Sequence, residues 1–416
     1  MTIVGLIGTL DTKGAEYGWI RDRLVSRGVQ VILIDTGVLG EPAIRADIPR
    51  TEVARAAGTN LAELRGQGDR GVGVAAMARG ARRVVVDLHE RGRLHGVLSV
   101  GGSGNSTIST TAMRALPIGV PKLMVSSMTS GDVSPYVGTT DITMMYSVVD
   151  IAGLNRISTQ IFANAADAMA AMADGYAGGV TTERERPLIG ATMLGVTTPA
   201  VDAARQRLTA LGYEVLVFHA TGAGDRTMEE MAGSFAGILD LTLVELANEL
   251  VAGNATCGPD RLRTPVPRVV APGALDMVKF GPVVPPRFKD RHIWVHNSSV
   301  TVIRTTPQEC AALGTELADR LRAVPSPVAV HLPLRGLSTL SVPGGPYHDP
   351  IADTALFAAL RSGLAGSSVE IRPMDADLAT PAFGHAAADH LHSLITQTPT
   401  STYPWPCPAT PPAHLP

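Results

Sequence analysis

Short apolar runs alternate with segments of helical period along most of the chain. Residues 3–7 are predicted to form a buried strand. In the segment that follows, Tyr17, Ile20 and Leu24 fall on one face of a helix, and Gly28 is predicted to end it. Further strands are predicted at 29–34, 96–100 and 122–125. Strands that alternate with helices indicate βα units around a mostly parallel sheet.

The alternation lapses around residues 178–187, which are small and charged, and then restarts. A helix is predicted to run to about Leu321, because Thr306, Pro307 and Glu309 form a capping box with proline in the first turn. The strands of this second half are predicted at 188–194, 214–218, 237–241, 268–271 and 328–332. The chain is therefore predicted to fold as two α/β domains.

The break and the proline content predict the domain boundaries. Residues 399–416 are rich in proline, which neither continues a helix nor pairs within a sheet. The predicted parts are a nucleotide-binding domain at 1–182, a linker at 183–187, a second domain at 188–395 and a disordered tail at 396–416.

Composition and charge exclude several classes of protein. The 35 basic and 38 acidic side chains give a net charge of −3 and are evenly spread, so nucleic acid and membranes are not expected as partners. There is no signal peptide and no run of about 18 apolar residues, which predicts a cytoplasmic protein. Cys257, Cys310 and Cys407 form no closely spaced pair, so neither a zinc cluster nor a disulfide framework is expected.

Ligands of open α/β sheets bind beyond the carboxyl ends of the strands. In the first half these loops, including a predicted loop at 8–14, supply glycine backbone, hydroxyls, carboxylates and Lys13, which suit a phosphorylated ligand. Asp35 at a strand end is a candidate for a ribose hydroxyl. The predicted nucleotide-binding residues are Thr9, Asp11, Thr12, Lys13, Asp35, Gly101, Gly102, Ser103, Gly104, Asn105, Ser106, Ser126, Ser127 and Thr139.

Each of these signals also has a purely structural interpretation. The glycine loop at 101–104 is compatible with a tight strand-to-helix connection that binds nothing, and Asp35 is compatible with a helix cap or a solvated carboxylate. Neither glycine loop of the first half has the spacing of a P-loop or of a dinucleotide-binding fingerprint. An NAD-dependent oxidoreductase is for that reason the weakest of the functions considered.

The second half carries a second set of polar residues, which are predicted to lie at strand ends of one sheet. Arg226, in a glycine-rich loop, is suited to bind a carboxylate or phosphate through two hydrogen bonds. Taken singly, each residue of this set has a structural role as its alternative. The candidate catalytic residues are His219, Arg226, Asp276, His296 and Arg335.

Several longer stretches match the motifs of a known family. They lie at 7–14, 38–42, 122–126, 131–139, 141–155, 272–277 and 343–346. On these stretches the chain resembles, from about residue 2 to 395, the Tm-1-like ATP-binding family of bacterial proteins. That family also includes the ATP-binding N-terminal region of a tomato inhibitor of tobamovirus RNA replication.

The resemblance implies two Rossmann-like domains, binding of ATP with magnesium, and a homodimer. It also implies a link to a TIM-barrel partner similar to phosphoenolpyruvate hydrolases. Two loops depart from the family pattern, with Asn105 and Asp225 each in place of a glycine. Asn105 is expected to keep nucleotide binding, because asparagine tolerates the left-handed backbone. Asp225 is expected to disfavour an anion at its loop.

Two functions follow from these expectations. The first is an ATP- and magnesium-dependent enzyme acting on a small organic acid or keto compound in a cleft between the domains. Arg226, His296 or Arg335 would hold the acid, and Asp276 or His219 would be the base. Magnesium is predicted near Asp11 or Asp141. The second is a nucleotide-responsive regulatory or protein-binding module without turnover.

Overall fold

The computed structural model describes residues 1–179, 186–254 and 261–398. These residues form two units, the first over 1–179 and the second over 186–254 and 261–398. Both are α/β structures built around a parallel sheet, which confirms the predicted fold class. Cys257 and Cys407 lie outside the described residues, as do 183–185 of the predicted linker and 399–416 of the predicted tail.

The first unit has one five-stranded sheet, and every pair of neighbouring strands is parallel. Its strands are β1 (Ile3–Gly8), β2 (Gln30–Asp35), β3 (Gly96–Gly101), β4 (Lys122–Ser126) and β5 (Thr143–Tyr146). Its helices are α1 (Leu10–Ser26), α2 (Arg50–Ala56), α3 (Leu61–Gln67), α4 (Arg70–Glu90), α5 (Ser103–Met113), α6 (Ser134–Val137) and α7 (Arg156–Gly178). The strand order is β2-β1-β3-β4-β5, so the order reverses between β1 and β3.

The first helix confirms one prediction and corrects another. Tyr17, Ile20 and Leu24 are fully buried, and Gly28 follows the helix with a φ of +82°. The predicted loop at 8–14 is wrong, because α1 already begins at Leu10. The Leu10 side chain at the start of this helix is fully buried.

The second unit has a six-stranded parallel sheet and a separate three-stranded antiparallel sheet. The parallel strands are β6 (Leu188–Met193), β7 (Glu214–His219), β8 (Phe235–Asp240), β9 (Arg268–Val270), β13 (Val328–Pro333) and β14 (Glu370–Met374). The antiparallel strands are β10 (Met277–Phe280), β11 (Ile293–Asn297) and β12 (Val300–Arg304). The helices are α8 (Thr198–Ala210), α9 (Ala223–Glu230), α10 (Val244–Ala247), α11 (Pro307–Arg322), α12 (Pro350–Leu364) and α13 (Pro381–Gln397).

The parallel sheets of the two units share one topology. The second runs in the order β14-β13-β9-β8-β6-β7, which is the order of the first sheet with one strand added. The reversal therefore falls between β6 and β8, as it does between β1 and β3. The capping box of α11 is present, with Thr306 Oγ1 accepting from the Glu309 amide at 3.2 Å. The antiparallel sheet between 277 and 304 was not expected.

Candidate functional site

The carboxyl edge of the first sheet presents an open helix N-terminus at the point where the strand order reverses. Gly102 precedes α5 and offers it no side-chain cap, so the first amides of that helix are available to a ligand. A Cβ added to Gly102 would approach nothing more closely than Ser127 Oγ, at 3.7 Å. The backbone at this point is thus open to a bulky group, and helix N-termini attract anions.

Three segments of the same edge hold buried oxygen atoms without a partner among the described residues. These atoms are Asp11 Oδ1, Thr36 Oγ1 and Thr129 Oγ1, which follow β1, β2 and β4 respectively. Buried polar atoms in folded proteins nearly always have a partner, which is often a ligand or an ordered water molecule. The three oxygens therefore favour a polar ligand at this edge.

The carboxylate of Asp11 is fixed by the loop after β2. Its Oδ2 atom accepts hydrogen bonds from the amides of Leu39 and Gly40 at 3.1 and 3.2 Å. A Cβ on Gly37 would lie 2.6 Å from Asp11 Oδ1, so glycine is needed for this approach. The Oδ2 atom thus accepts hydrogen bonds from the backbone, whereas the Oδ1 atom has no partner among the described residues. This arrangement fits a magnesium ion that takes its remaining ligands from phosphate and water.

Asp141, the alternative magnesium ligand, lies at the other edge of the sheet. It accepts a hydrogen bond from Lys122 Nζ at 2.6 Å, and Lys122 is the first residue of β4. Thr139 lies in the same segment, between α6 and β5, so the expectation that Thr139 lies in a loop directly after a strand is wrong. Asp11 and Asp141 therefore do not share an ion. Among the described residues no three His, Cys, Asp or Glu side chains are grouped to hold a metal.

Asp35 and Lys13 tie the loops of this edge together. Asp35 Oδ1 accepts from the amides of Leu10 and Gly37 at 3.2 and 2.9 Å, and the side chain is 1% exposed. Burial raises the pKa of Asp35. Lys13, where α1 is kinked, donates to the carbonyl of Ile151 in the segment after β5. The ribose contact of Asp35 stays a prediction, and its contacts are those of a positioning residue.

Asn105 faces the protein interior. Its Nδ2 atom donates to Tyr17 OH, Ser99 Oγ and Val100 O at 2.9 to 3.0 Å. Asn105 lies within α5. It does not adopt the left-handed backbone conformation on which the expectation for this residue was based. Burial raises the pKa of Tyr17 to about 12, so its hydroxyl stays neutral. This asparagine therefore stabilises the junction of β3 and α1 and leaves the backbone of Gly102 open.

The remaining predicted nucleotide-binding residues divide by burial. Ser106 and Ser126 are buried and lie 2.7 Å apart through their hydroxyls, so they connect α5 to β4. Thr9 and Thr12 share a hydrogen bond of 3.0 Å at the exposed start of α1. Gly101 is buried against Asn105, whereas Gly102, Ser103 and Gly104 lie at the open start of α5 with Ser127 beside them.

The five candidate catalytic residues of the second unit do not share one sheet. His219 ends β7 and Arg335 follows β13, whereas His296 lies in β11 of the antiparallel sheet. Arg226 lies inside α9. The prediction of a common sheet edge is wrong because residues 277–304 form a sheet of their own. Asp276 is fully buried, and its Oδ2 atom accepts from Ser338 Oγ at 2.6 Å.

Asp225 belongs to a buried cluster of charges rather than to an exposed loop. The cluster comprises Asp225, Glu229, Asp240, Arg261 and Arg268. Burial raises the pKa of Asp225 to about 6. Burial also disfavours ionisation of Glu229, but the guanidinium of Arg268 outweighs it and lowers the pKa of Glu229 to about 2. The carboxylate of Asp225 faces Arg261, and its effect on an anion at this loop stays a prediction.

Comparisons with known proteins place the chain in a family. The sequence patterns of the N-terminal and C-terminal domains of uncharacterised protein family UPF0261 match residues 2–178 and 186–395. The chain belongs to this family. It is 42% identical to a UPF0261 protein of Clostridium tetani over 94% of this chain and 98% of the relative. It is 39% identical to the ToMV resistance protein Tm-1(GCR237) of Solanum lycopersicum, over 70% of this chain and 40% of the tomato protein.

The relatives confirm the family resemblance of this UPF0261 chain. Among solved structures, a spinosyn rhamnosyltransferase SpnG complexed with thymidine diphosphate aligns over 95% of this chain at 10% identity, with a TM-score of 0.23. That score is too low to support any argument. In the part of the chain that the structure describes, no helix is long and apolar enough to cross a membrane.

Sequence reasoning missed several residues of this UPF0261 protein. Thr36 and Thr129 carry partnerless oxygens at the candidate site, and Gly37 makes room for Asp11. Thr36 and Gly37 directly follow the strand-end residue Asp35, so their position indicates a strand-end loop, although they are not among the predicted binding residues. Arg261 and Arg268 gave no signal, because their carboxylate partners are 21 to 39 residues away along the chain.

Proposed function

We propose that the first unit binds ATP at the carboxyl edge of its sheet. The observation that carries the proposal is the open N-terminus of α5, which follows Gly102 and lies next to the reversal of strand order. The carboxylate of Asp11, whose Oδ1 atom has no partner among the described residues, lies at the same edge. Backbone amides at a helix N-terminus suit phosphate oxygens, and sheets of this topology bind nucleotides at the reversal.

The proposed roles follow from the contacts of each residue. Gly102 and Ser103 would donate backbone amides to the phosphates, and the bare Oδ1 of Asp11 would hold magnesium. Asp35 would fix the start of α1, which carries Asp11, to the loop that carries Gly37. When bound, magnesium would neutralise charge on the phosphates, while the amides of α5 orient them.

We further propose an ATP- and magnesium-dependent enzyme that acts on a small organic acid or keto compound. Backbone amides aimed at phosphates support phosphoryl chemistry as well as simple binding. Arg226, His296 and Arg335 stay candidates for holding the acid, and His219 for the base. Asp276 is a weaker candidate for the base than the sequence suggested, because it is fully buried. Homodimer formation and a TIM-barrel partner are further parts of this proposal.

A second candidate function is a nucleotide-responsive module without turnover. Its support is the name of the tomato relative, which is described as a resistance protein rather than as an enzyme. Measurement of phosphate release separates the two functions. Release that saturates with ATP in the presence of an acid or keto compound favours the enzyme, and binding without release favours the module.

The nucleotide site is tested by calorimetric titration with ATP and magnesium. Gly102→Val fills the open start of α5, and we expect affinity to fall by about tenfold or more, because the phosphates lose their close approach. Gly66→Val is the matched control, since Gly66 lies in α3 with nothing within 4 Å of an added Cβ. Asp11→Asn should lower the dependence of binding on magnesium.

The proposal fails on either of two results. One is that the unmutated protein does not bind ATP. The other is that Gly102→Val binds ATP as tightly as Gly66→Val does. Thermal unfolding of each variant shows whether it is folded at the temperature of the titration.

A further inference from the structure

We infer that the second unit has its own binding site for a small carboxylate that also carries an amino or hydroxyl group. The site is a cavity of about 390 Å³ beside the loops that follow β7 and β8. Its polar lining includes Thr221, Glu245, Asn248 and Lys279. Cavities of about 300 Å³ and above are of the size that holds small ligands.

The position of the cavity in the fold supports a ligand site. Thr221 follows β7, and Glu245 lies in α10, which follows β8. Both therefore lie beyond the carboxyl ends of parallel strands, where ligands of open α/β sheets bind. Lys279 comes from β10 of the antiparallel sheet, so the cavity has walls from two different sheets.

Two buried polar side chains make this a built site. Glu245 is 3% exposed and Asn248 is 5% exposed, yet both line the cavity. Asn248 Nδ2 donates to Glu245 Oε1 at 3.1 Å, and Asn248 Oδ1 accepts from the amide of Lys279 at 2.8 Å. One amide group thus fixes both the carboxylate and the strand that carries the lysine, so the polar groups are held in place before a ligand binds.

The charges of the cavity select the class of ligand. Lys279 contributes an ammonium group to the lining of the cavity, where it would pair with an anion. Glu245 would repel an anion that has no hydrogen-bond donor. A carboxylate with a neighbouring amino or hydroxyl group meets both demands, because its anion pairs with Lys279 and its donor faces Glu245. Phe280 and Val300 offer apolar contact to the carbon skeleton.

This inference does not depend on ATP binding by the first unit. The experiment therefore titrates the full-length protein, without nucleotide, with serine, lactate and propionate, and ATP is titrated in separate samples. Lys279→Met removes the ammonium and keeps the length of the side chain. Lys289→Met is the matched control, because Lys289 is exposed and does not line the cavity.

We expect serine or lactate to bind, and Lys279→Met to weaken that binding by about tenfold or more while Lys289→Met leaves it unchanged. Ser299→Trp is a second variant, which narrows the cavity from an exposed position and should also weaken binding. The inference is overturned if neither serine nor lactate binds, or if propionate binds as tightly as they do. It is also overturned if Lys279→Met and Ser299→Trp both bind normally. ATP titrations that are unaffected by Lys279→Met separate this site from the proposed nucleotide site.

Discussion

The two parallel sheets share a strand order, but different kinds of residue lie at the points where that order reverses. In the first unit, β3 ends at Gly101 and the start of α5 is open. In the second, the corresponding strand ends at Asp240, whose carboxylate receives two hydrogen bonds from Arg261. The shared topology therefore provides a crevice in both units. In each unit, the residues at and after the end of β3 or β8 determine whether that crevice is open or is filled by the protein itself.

The second crevice is closed by polar contacts as well as by charge. The hydroxyls of Thr197 and Thr242 lie 2.8 Å apart and both side chains are buried. Thr192 Oγ1 donates to Asp240 at 2.8 Å, which extends the network to β6. The cavity of the second unit is lined by residues that follow β7 and β8, so it borders the reversal between β6 and β8, but no residue of the charge cluster lines it.

Removal of a buried guanidinium tests whether the charge cluster at the second reversal stabilises the fold. Arg268→Met should lower the free energy of unfolding by about 3 to 5 kcal/mol, because Glu229 and Asp240 keep their buried charges and lose a partner. Urea unfolding at neutral pH measures the loss. Arg207→Met is the control, and its exposed ion pair with Asp389 should contribute less than about 1 kcal/mol. Equal stability of the two variants would show that the cluster is dispensable.

Two glycines of the first unit test whether its open backbone serves binding or packing. A Cβ on Gly8 would lie 2.0 Å from Tyr17 Cζ, so Gly8→Ala should cost about 1 to 3 kcal/mol or more by displacing that ring. Gly102→Ala should leave stability nearly unchanged, because the added Cβ meets only Ser127 Oγ at 3.7 Å. Thermal unfolding of both variants gives the comparison. A similar loss in both would mean that Gly102 is also a packing residue.

The buried strands of both parallel sheets were predictable from the sequence. Their apolar runs are short and bounded by polar residues or glycine, and the stripe of Tyr17, Ile20 and Leu24 marks a helix face. The antiparallel sheet was not predictable in this way. Residues 293–297 of β11 are exposed, so the strand has no buried face to impose an alternating pattern.

The candidate site was predictable only in part. The glycine loop and Asp11 are signalled by their position directly after strands. The inward orientation of Asn105 depends on Ser99, six residues before it, and on Tyr17, 88 residues before it, and no local rule predicts the contact with Tyr17. The same holds for Asp225, whose environment is set by Arg261.

A buried histidine is expected to make the second unit less stable in acid. His331 is 1% exposed and its Nε2 atom lies 2.8 Å from His390 Nδ1. Burial lowers the pKa of His331 to about 4, below its ordinary value of 6.5. The unfolded chain therefore binds a proton more readily, and stability that is present at neutral pH is lost as the pH falls from about 6.5 towards 4.

At pH 5 this loss amounts to about 2 kcal/mol, from 1.5 pH units at about 1.4 kcal/mol each. His331→Gln removes the titrating group and keeps a polar partner for His390. We expect the variant to lose less stability than the unmutated protein between pH 7.5 and 5 in urea unfolding. An identical loss in both proteins would assign the acid sensitivity elsewhere. The raised pKa of Asp35 in the first unit acts in the opposite direction, as does that of Asp225 in the second unit.

The smallest effect is expected at Asp225, where the charge cluster has one carboxylate more than it has guanidinium groups. The pKa of Asp225 is raised to about 6 by burial, so the native state favours the proton and the contribution of this group to stability falls as the pH rises from about 4 to 6. Asp225→Asn removes the surplus charge and keeps an oxygen to accept from Arg261 Nε, which now lies 3.3 Å from Oδ2.

We therefore expect Asp225→Asn to change the free energy of unfolding by less than about 1 kcal/mol at pH 7.5, since the relief of a buried charge offsets an amide group without a partner. The difference in free energy of unfolding between the variant and the unmutated protein should favour the variant more at pH 7.5 than at pH 5, where Asp225 is already protonated. Urea unfolding at both values tests this. A loss as large as that of Arg268→Met would mean that all three carboxylates are needed in ionised form, and that the closed reversal depends on a full set of charges rather than on close packing.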